Sequence, residues 1–235
     1  ELTNGRKHGL EKTLTALREI AVETNKEWSA IFGIPQSTAI TCVKPSGTVS
    51  QLVDSSSGIH PRHSSYYIRT VRGDNKDPLT NFMIDSGIPS EADFMKPDTQ
   101  TVFSFPMKSP KKSVVRNDMT AIQQLEMWLL YQRHWCEHKP SVTISVRDDE
   151  WMEVGAFVFK HFDEMSGVSF LPHSDHTYQQ APYQDCTEAV YNDFSSKFTH
   201  INWDKFTDYE KEDNTHSSQT LACSGDSCEI VDIGA

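Results

Sequence analysis

Ala39-Ile40-Thr41-Cys42-Val43-Lys44-Pro45-Ser46-Gly47-Thr48-Val49-Ser50, followed shortly by Ser57-Gly58-Ile59-His60-Pro61-Arg62, is the stretch from which the rest of this chain is read. Ile40, Cys42 and Val43 read as a buried strand, and Pro45 stops it. Ser46 or Thr48 is suited to cap a helix over about 46–53, and Gly47 lets backbone N–H groups come close to a ligand. Strand, small-residue turn and helix start together make an anion site that needs no basic side chain. Four small turn residues also make an ordinary strand-to-helix turn, so the stretch alone leaves both readings open.

Working outward, Leu10, Leu14, Leu17, Ala21 and Trp28 recur at helical spacing, which predicts a helix over about 9–30 that ends before Gly33 and Pro35. Beyond the turn, residues 65–71 read as extended. Asp77-Pro78 starts a helix that Gly87 ends, and Phe103, Phe105 and Met107 alternate as in a strand, with Pro106 near an edge. Asp118 is expected to cap a long helix carrying Met119, Ile122, Leu125, Trp128 and Leu129, with Pro140 closing its exit. Val142, Ile144 and Val146 alternate as a strand, Asp148 or Asp149 caps a helix with Trp151, Val154, Val158 and Phe162, and 167–171 is a further short strand. This alternation predicts an α/β architecture with partly parallel pairing. After about residue 204, Asp, Glu, Ser and Thr dominate, which predicts a mobile tail.

The formal net charge of −11 argues against nucleic-acid and membrane surfaces as partners. Arg62, Arg69 and Arg72 with two histidines form a local positive stretch, suited either to one small anionic ligand or to pairing with nearby acids. No apolar run is long enough for a membrane span, and the polar start lacks a signal peptide, so a cytoplasmic protein is expected. A chain of 235 residues starting at Glu1 also reads as part of something longer. Five cysteines without a secretory signal point to reduced thiols. His134, Cys136 and His138 offer soft ligands but not the paired dyads of a closed zinc site, so no metal is expected there.

The stretch from Lys44 to Arg62 resembles the substrate-phosphate loop of ribonucleotide reductases and the Ser-Gly-Ile-His-Pro-Arg segment after it. Tyr66-Tyr67-Ile68-Arg69, the run His134 to Ile144, Phe170-Leu171-Pro172 and Gln179-Gln180-Ala181-Pro182-Tyr183 resemble the adenosylcobalamin-dependent (class II) branch, closest to its monomeric triphosphate-reductase type. The resemblance implies that residues 1–203 are the carboxyl-terminal portion of a ten-stranded α/β barrel and 204–235 a mobile redox tail. It implies that Pro45, Ser46, Gly47, Thr48 and Val49 hold the phosphates of a ribonucleoside di- or triphosphate. Adenosylcobalamin is the implied cofactor, in a pocket shared with an amino-terminal part that is also the implied partner and carries the radical cysteine. The family's Asn-Pro-Cys-Gly-Glu loop for that cysteine is not in this chain. The bare Cys186-Thr187-Glu188 reads better as part of a capping box formed by Asp185 and Glu188.

Cys223 and Cys228 enclose Ser224-Gly225-Asp226-Ser227. Five extended steps span about 17 Å, whereas a disulfide wants its Cα atoms about 5.5 Å apart, so the chain must turn back, which Gly225 permits. By resemblance the pair is a redox relay that reduces a buried disulfide and is restored by thioredoxin or a similar reductant. The alternative is a non-catalytic module that keeps the fold and binds a nucleotide or a protein.

Overall fold

The structure is a computed structural model that describes residues 4–46, 49–173, 179–198, 200–211, 218–224 and 227–233, with 4–7 and the last two stretches as backbone only. The chain forms two compact units, Glu1–Arg62 with Pro110–Asp175 and His63–Ser109 with His176–Ala235. The class is mixed α/β, as the alternation predicts. Among the described residues no helix is long and apolar enough to cross a membrane.

The first unit opens with helix α1 (Asn4–Phe32). It ends where Gly33 takes φ +65°, which frees Ile34 N–H to bond Ser29 O at 3.0 Å, a Schellman-type close. Of the face predicted for α1, Leu14 is buried whereas Leu17 and Trp28 are each 49% exposed. Helix α2 (Val49–Leu52) is a single turn, shorter than the predicted 46–53. Ile40 to Val43, expected as a strand, join no ladder. Thr41 O and Val43 O instead accept single bonds from Glu137 N–H and Ser141 N–H.

The core of this unit lies between helix α4 (Ala121–His134), strand β4 (Thr143–Val146) and helix α5 (Trp151–Lys160). Ala121, Leu125, Trp128 and Leu129 fall on one face of α4 and meet Val142, Ile144, Val146 and Val154. The fully buried Trp128 indole donates to Pro140 O at 2.9 Å, so the largest core side chain leaves no polar atom unpaired. Strand β5 (Ser169–Pro172) returns parallel to β4, Thr143 opposite Ser169, with α5 as the crossover that parallel pairing requires.

Two predicted caps are corrected. Thr120, not Asp118, caps α4: its hydroxyl accepts from Gln123 N–H while the Gln123 side chain accepts from Thr120 N–H. Asp118 instead accepts from Val115 N–H and closes the short turn Arg116–Asp118. Neither Asp148 nor Asp149 caps α5. Glu150 holds that position, its carboxylate accepting from Arg147 N–H and Ala121 N–H, which ties the starts of α4 and α5 together.

The second unit is an antiparallel sheet in the order β2 (Ser90–Ala92), β3 (Gln100–Lys108), β1 (Tyr66–Asp74), β6 (Tyr183–Asp185). Strands β1 and β3 pair from Tyr66 opposite Lys108 to Asp74 opposite Gln100. Pro106 lies past the stretch that β2 covers, where the outer edge of β3 has no partner strand among the described residues. Helix α3 (Pro78–Asp85) begins at Asp77, which accepts from Leu79 N–H, as the Asp-Pro pair predicts. Its buried Phe82 packs against Trp203, Phe206 and Tyr209, and Tyr209 donates to Asp85, so ordered packing runs on to Tyr209.

Helix α6 (Glu188–Ser196) is capped by Thr187, whose hydroxyl accepts from Val190 N–H. The Asp185–Glu188 capping box is thus replaced. Asp185 pairs with His63, and Glu188 accepts from the Tyr66 hydroxyl at 2.6 Å, raising that phenol above its usual range. Strands β7 (Ser218–Ser224) and β8 (Ser227–Ile233) form an antiparallel hairpin.

Candidate functional site

Two described residues at the edges of the stretch expected to hold an anion reach solvent. Pro45 and Val49 are exposed, Ser46 is half-buried, and Gly47 and Thr48 lie outside the described residues. Ser46 is fastened from behind. Its N–H donates to Ser57 Oγ at 3.1 Å, its hydroxyl lies 3.2 Å from the same oxygen, and its carbonyl accepts from Val49 N–H to start α2.

The segment 54–62 forms that backing. Gly58 has φ +56°, and a Cβ on it would stand 3.0 Å from the Val43 side chain, so the close approach to the strand-like stretch requires glycine. His60 Nε2 accepts from Thr143 N–H at 2.9 Å, which leaves Nδ1 as the protonated nitrogen, donating to Ser57 O at 2.6 Å. The imidazole thereby ties the backing to the start of β4. Lys44 Nζ stands 3.4 Å from His138 Nδ1.

Each of the three arginines has its own contacts. Arg62 in the first unit pairs with Asp54 at 2.6 Å. In the second, Arg72 pairs with Asp93, and Arg69 lies 4.4 Å over the Tyr183 ring while donating to Pro182 O. Pairing with acids, the other reading of this stretch, describes two of them.

The soft ligands near the exit of α4 are separately engaged. His134 Nδ1 contacts the Thr15 hydroxyl, His138 faces Lys44, and burial pushes the Cys136 thiol up to about 11, far from thiolate character. Among the described residues no three His, Cys, Asp or Glu side chains come together for a metal ion. Burial also raises the Cys186 thiol, with the neighbouring Asp185 charge adding to it, so it is poorly suited to act as a nucleophile.

In the hairpin the backbone register sets Cys223 directly opposite Cys228, outside the Ser224–Ser227 pair. Antiparallel partners have Cα atoms about 4.5–5.5 Å apart, inside the range of about 4.4–6.8 Å that a disulfide spans. The turn residues Gly225 and Asp226 lie outside the described residues.

Sequence reasoning did not find Ser57 as the acceptor behind Ser46, nor the Arg62–Asp54 pair. The signal was the serine run before Gly58, a composition common to loops of every kind.

A chain with a parallel β4–α5–β5 unit and a facing cysteine pair invites comparison with enzymes of nucleotide reduction. No family model matches. A probable adenosylcobalamin-dependent ribonucleoside-triphosphate reductase of Dictyostelium discoideum is 30% identical over 217 residues, 89% of this chain and 27% of the relative. The adenosylcobalamin-dependent ribonucleoside-triphosphate reductase of Euglena gracilis is 28% identical over 82% of this chain and 27% of its own length. A crystal structure of a B12-dependent (class II) ribonucleotide reductase superposes with a TM-score of 0.74 at 25% identity, over 87% of this chain and 29% of that one.

Over most of its length the chain is similar to ribonucleotide reductases. The relatives it matches are class II, adenosylcobalamin-dependent ribonucleoside-triphosphate reductases, and it spans about a quarter of their length.

Proposed function

We propose that this chain is the carboxyl-terminal part of a class II ribonucleotide reductase, contributing strands and helices to a ten-stranded α/β barrel completed by an amino-terminal part that bears the radical cysteine. Joined to that part, it serves the reduction of ribonucleoside di- or triphosphates to deoxyribonucleotides. The observation that carries this reading is similarity over 89% of the chain to a probable adenosylcobalamin-dependent ribonucleoside-triphosphate reductase.

Pro45, Ser46, Gly47, Thr48 and Val49 hold the substrate phosphates, with backbone donors positioning the ribose more than acting on it. Lys44, next to Pro45 in the chain and exposed, adds positive charge for the phosphates to meet. Adenosylcobalamin, the cofactor named for the relatives, supplies the radical that starts such a reaction when bound. The described residues bring together no ligand cluster of their own for it, and its pocket is allotted chiefly to the amino-terminal part.

Each ribose reduced consumes two electrons and leaves two active-site thiols as a disulfide. A thiolate of the Cys223/Cys228 pair attacks that disulfide, the second cysteine resolves the mixed disulfide, and the active-site thiols are regenerated while this pair becomes oxidised. Thioredoxin or a similar dithiol reductant then restores it. The facing register suits a pair that must close and open a disulfide without rebuilding its backbone.

The test is reconstitution of this chain with an amino-terminal part, adenosylcobalamin, nucleotide and thioredoxin. Cys223→Ser and Cys228→Ser should each keep the first turnover and lose sustained turnover. Sustained turnover in both variants would remove the relay. An inactive wild-type mixture that still binds nucleotide would favour a non-catalytic module.

A further inference from the structure

Helix α1 turns its most apolar side to solvent. Its packed side carries Leu14 and Ser29, both buried, with the Thr15 hydroxyl 3.1 Å from His134 Nδ1 and Arg18 Nη1 donating to Arg133 O at 3.5 Å. Roughly a quarter-turn round the helix lie Leu17, Ile20, Trp28, Ile31 and Phe32, which share about 120° of arc. Ile20 is 63% exposed, Ile31 61% and Phe32 65%. The Trp28 and Phe32 rings lie against each other, centroids 5.5 Å apart. Single apolar residues on a surface need no explanation, but five on one helical face mark a place where another surface sits.

Along one border of this face run Glu19, Glu23 and Glu27, all exposed. Their four-residue spacing sets like charges side by side, which destabilises a bare helix. Among the described residues Glu23 makes a loose contact with Lys26 at 3.9 Å, and Glu19 and Glu27 have no ion pair. The border therefore favours a partner that brings positive charge.

We propose that this face of α1 docks the amino-terminal part of the reductase, on an apolar surface flanked by lysine or arginine side chains. The proposal rests on the reading above of this chain as one part of a longer enzyme. The matched segment is 27% of the Dictyostelium discoideum relative, so most of that protein lies outside it and is available to cover a face this segment leaves open. A second copy of this chain is a poor occupant, because it would bring the same acidic border and a net charge of −11 to a face that already repels it. The anionic surface of a membrane is disfavoured for the same reason. Trp28, the largest side chain on the face, is its natural anchor.

The experiment mixes this chain with the amino-terminal part used for reconstitution and follows association by calorimetry and stopped-flow kinetics. Trp28→Gln and Ile31→Gln should each raise Kd about thirtyfold or more, as for anchors near the centre of an interface. Their urea midpoints should match that of the wild type, because both side chains already stand in water. Glu19→Gln, Glu23→Gln and Glu27→Gln combined should slow association about tenfold at low salt and flatten its salt dependence.

Unchanged affinity in Trp28→Gln and Ile31→Gln, with the wild type binding, overturns the docking face. A lower urea midpoint in those variants would show that this chain covers the face itself, and a wild-type dimer in sedimentation that Trp28→Gln disperses would give the face to a second copy. Either result also overturns the proposal. A folded wild-type chain that the amino-terminal part does not bind at all instead strikes the reading of this chain as part of a longer reductase, and the docking face with it.

Discussion

Two arginine–aspartate pairs, one in each unit, have the same 2.6 Å contact and opposite burial. In Arg62–Asp54 the guanidinium is 5% exposed and the carboxylate 60%; in Arg72–Asp93 the carboxylate is 3% exposed and the guanidinium 31%. The buried member shows what the pair is for. Buried Asp93 accepts from Arg72 Nε and from the N–H groups of Met95 and Lys96, so it organises the bend after β2. Gln180, in the left-handed region at φ +57°, completes that bend by accepting from Phe94 N–H and donating to Ala92 O. Buried Arg62 reaches outward to a single carboxylate at the end of one helical turn. One pair is a hub for several donors, the other a tether for one.

The hub should break at far greater cost. Arg72→Met leaves the Asp93 carboxylate in the interior with its cationic partner gone, and removing one partner of a buried pair costs about 3–5 kcal/mol. Urea unfolding monitored by fluorescence should show a loss of that order. A loss below roughly 1 kcal/mol would mean that the Met95 and Lys96 amides alone satisfy the carboxylate.

The contrast between the pairs was not legible in the sequence, although much around them was. Helix α3 was readable from Asp77-Pro78 and Gly87, and β3 from its alternating Phe103, Phe105 and Met107, because both signals are local. The caps of α4 and α5 were misplaced by two residues or fewer, since Asp118, Thr120, Asp148, Asp149 and Glu150 all carry oxygens able to cap. Only the Gln123 partner and the reach of Glu150 to Ala121 select among them. Arg72 and Asp93 are 21 residues apart, and Gln180 is a further 87 along the chain, so nothing local marks them as one network. At the candidate site the turn residues were named only through resemblance, and the contacts of Ser57 Oγ with Ser46 and of Arg62 Nη2 with Asp54 join residues whose spacing carries no local signal.

Acid should sharpen the comparison by a smaller effect. Burial pushes the Asp93 carboxyl upward, but Arg72 and the Lys96 and Met95 amides outweigh it and hold it below its usual range. The folded state therefore binds that proton less readily than the unfolded chain. The stability Asp93 lends is fully present above the ordinary aspartate value of about 3.9 and drains away as pH falls through the native value. Between pH 5 and 2.5 the urea midpoint of the wild type should drop towards that of Asp93→Asn, whose own titration lacks this component. Parallel curves for the two proteins across that window would contradict the hub.

The smallest effect belongs to the tether. Asp54→Asn keeps an oxygen where Arg62 Nη2 finds its acceptor and keeps a residue that tolerates the left-handed φ of +51° at this position, so only the charge on the acceptor is lost. A hydrogen bond between neutral and charged groups in place of a charged pair, at a carboxylate mostly in water, should lower global stability by about 1 kcal/mol or less. Salt should erase part of even that difference, because the exposed carboxylate is screened. Equal losses from Asp54→Asn and Arg72→Met would show that Arg62, not its exposed partner, governs the cost, and that the tether is as much a part of the interior as the hub.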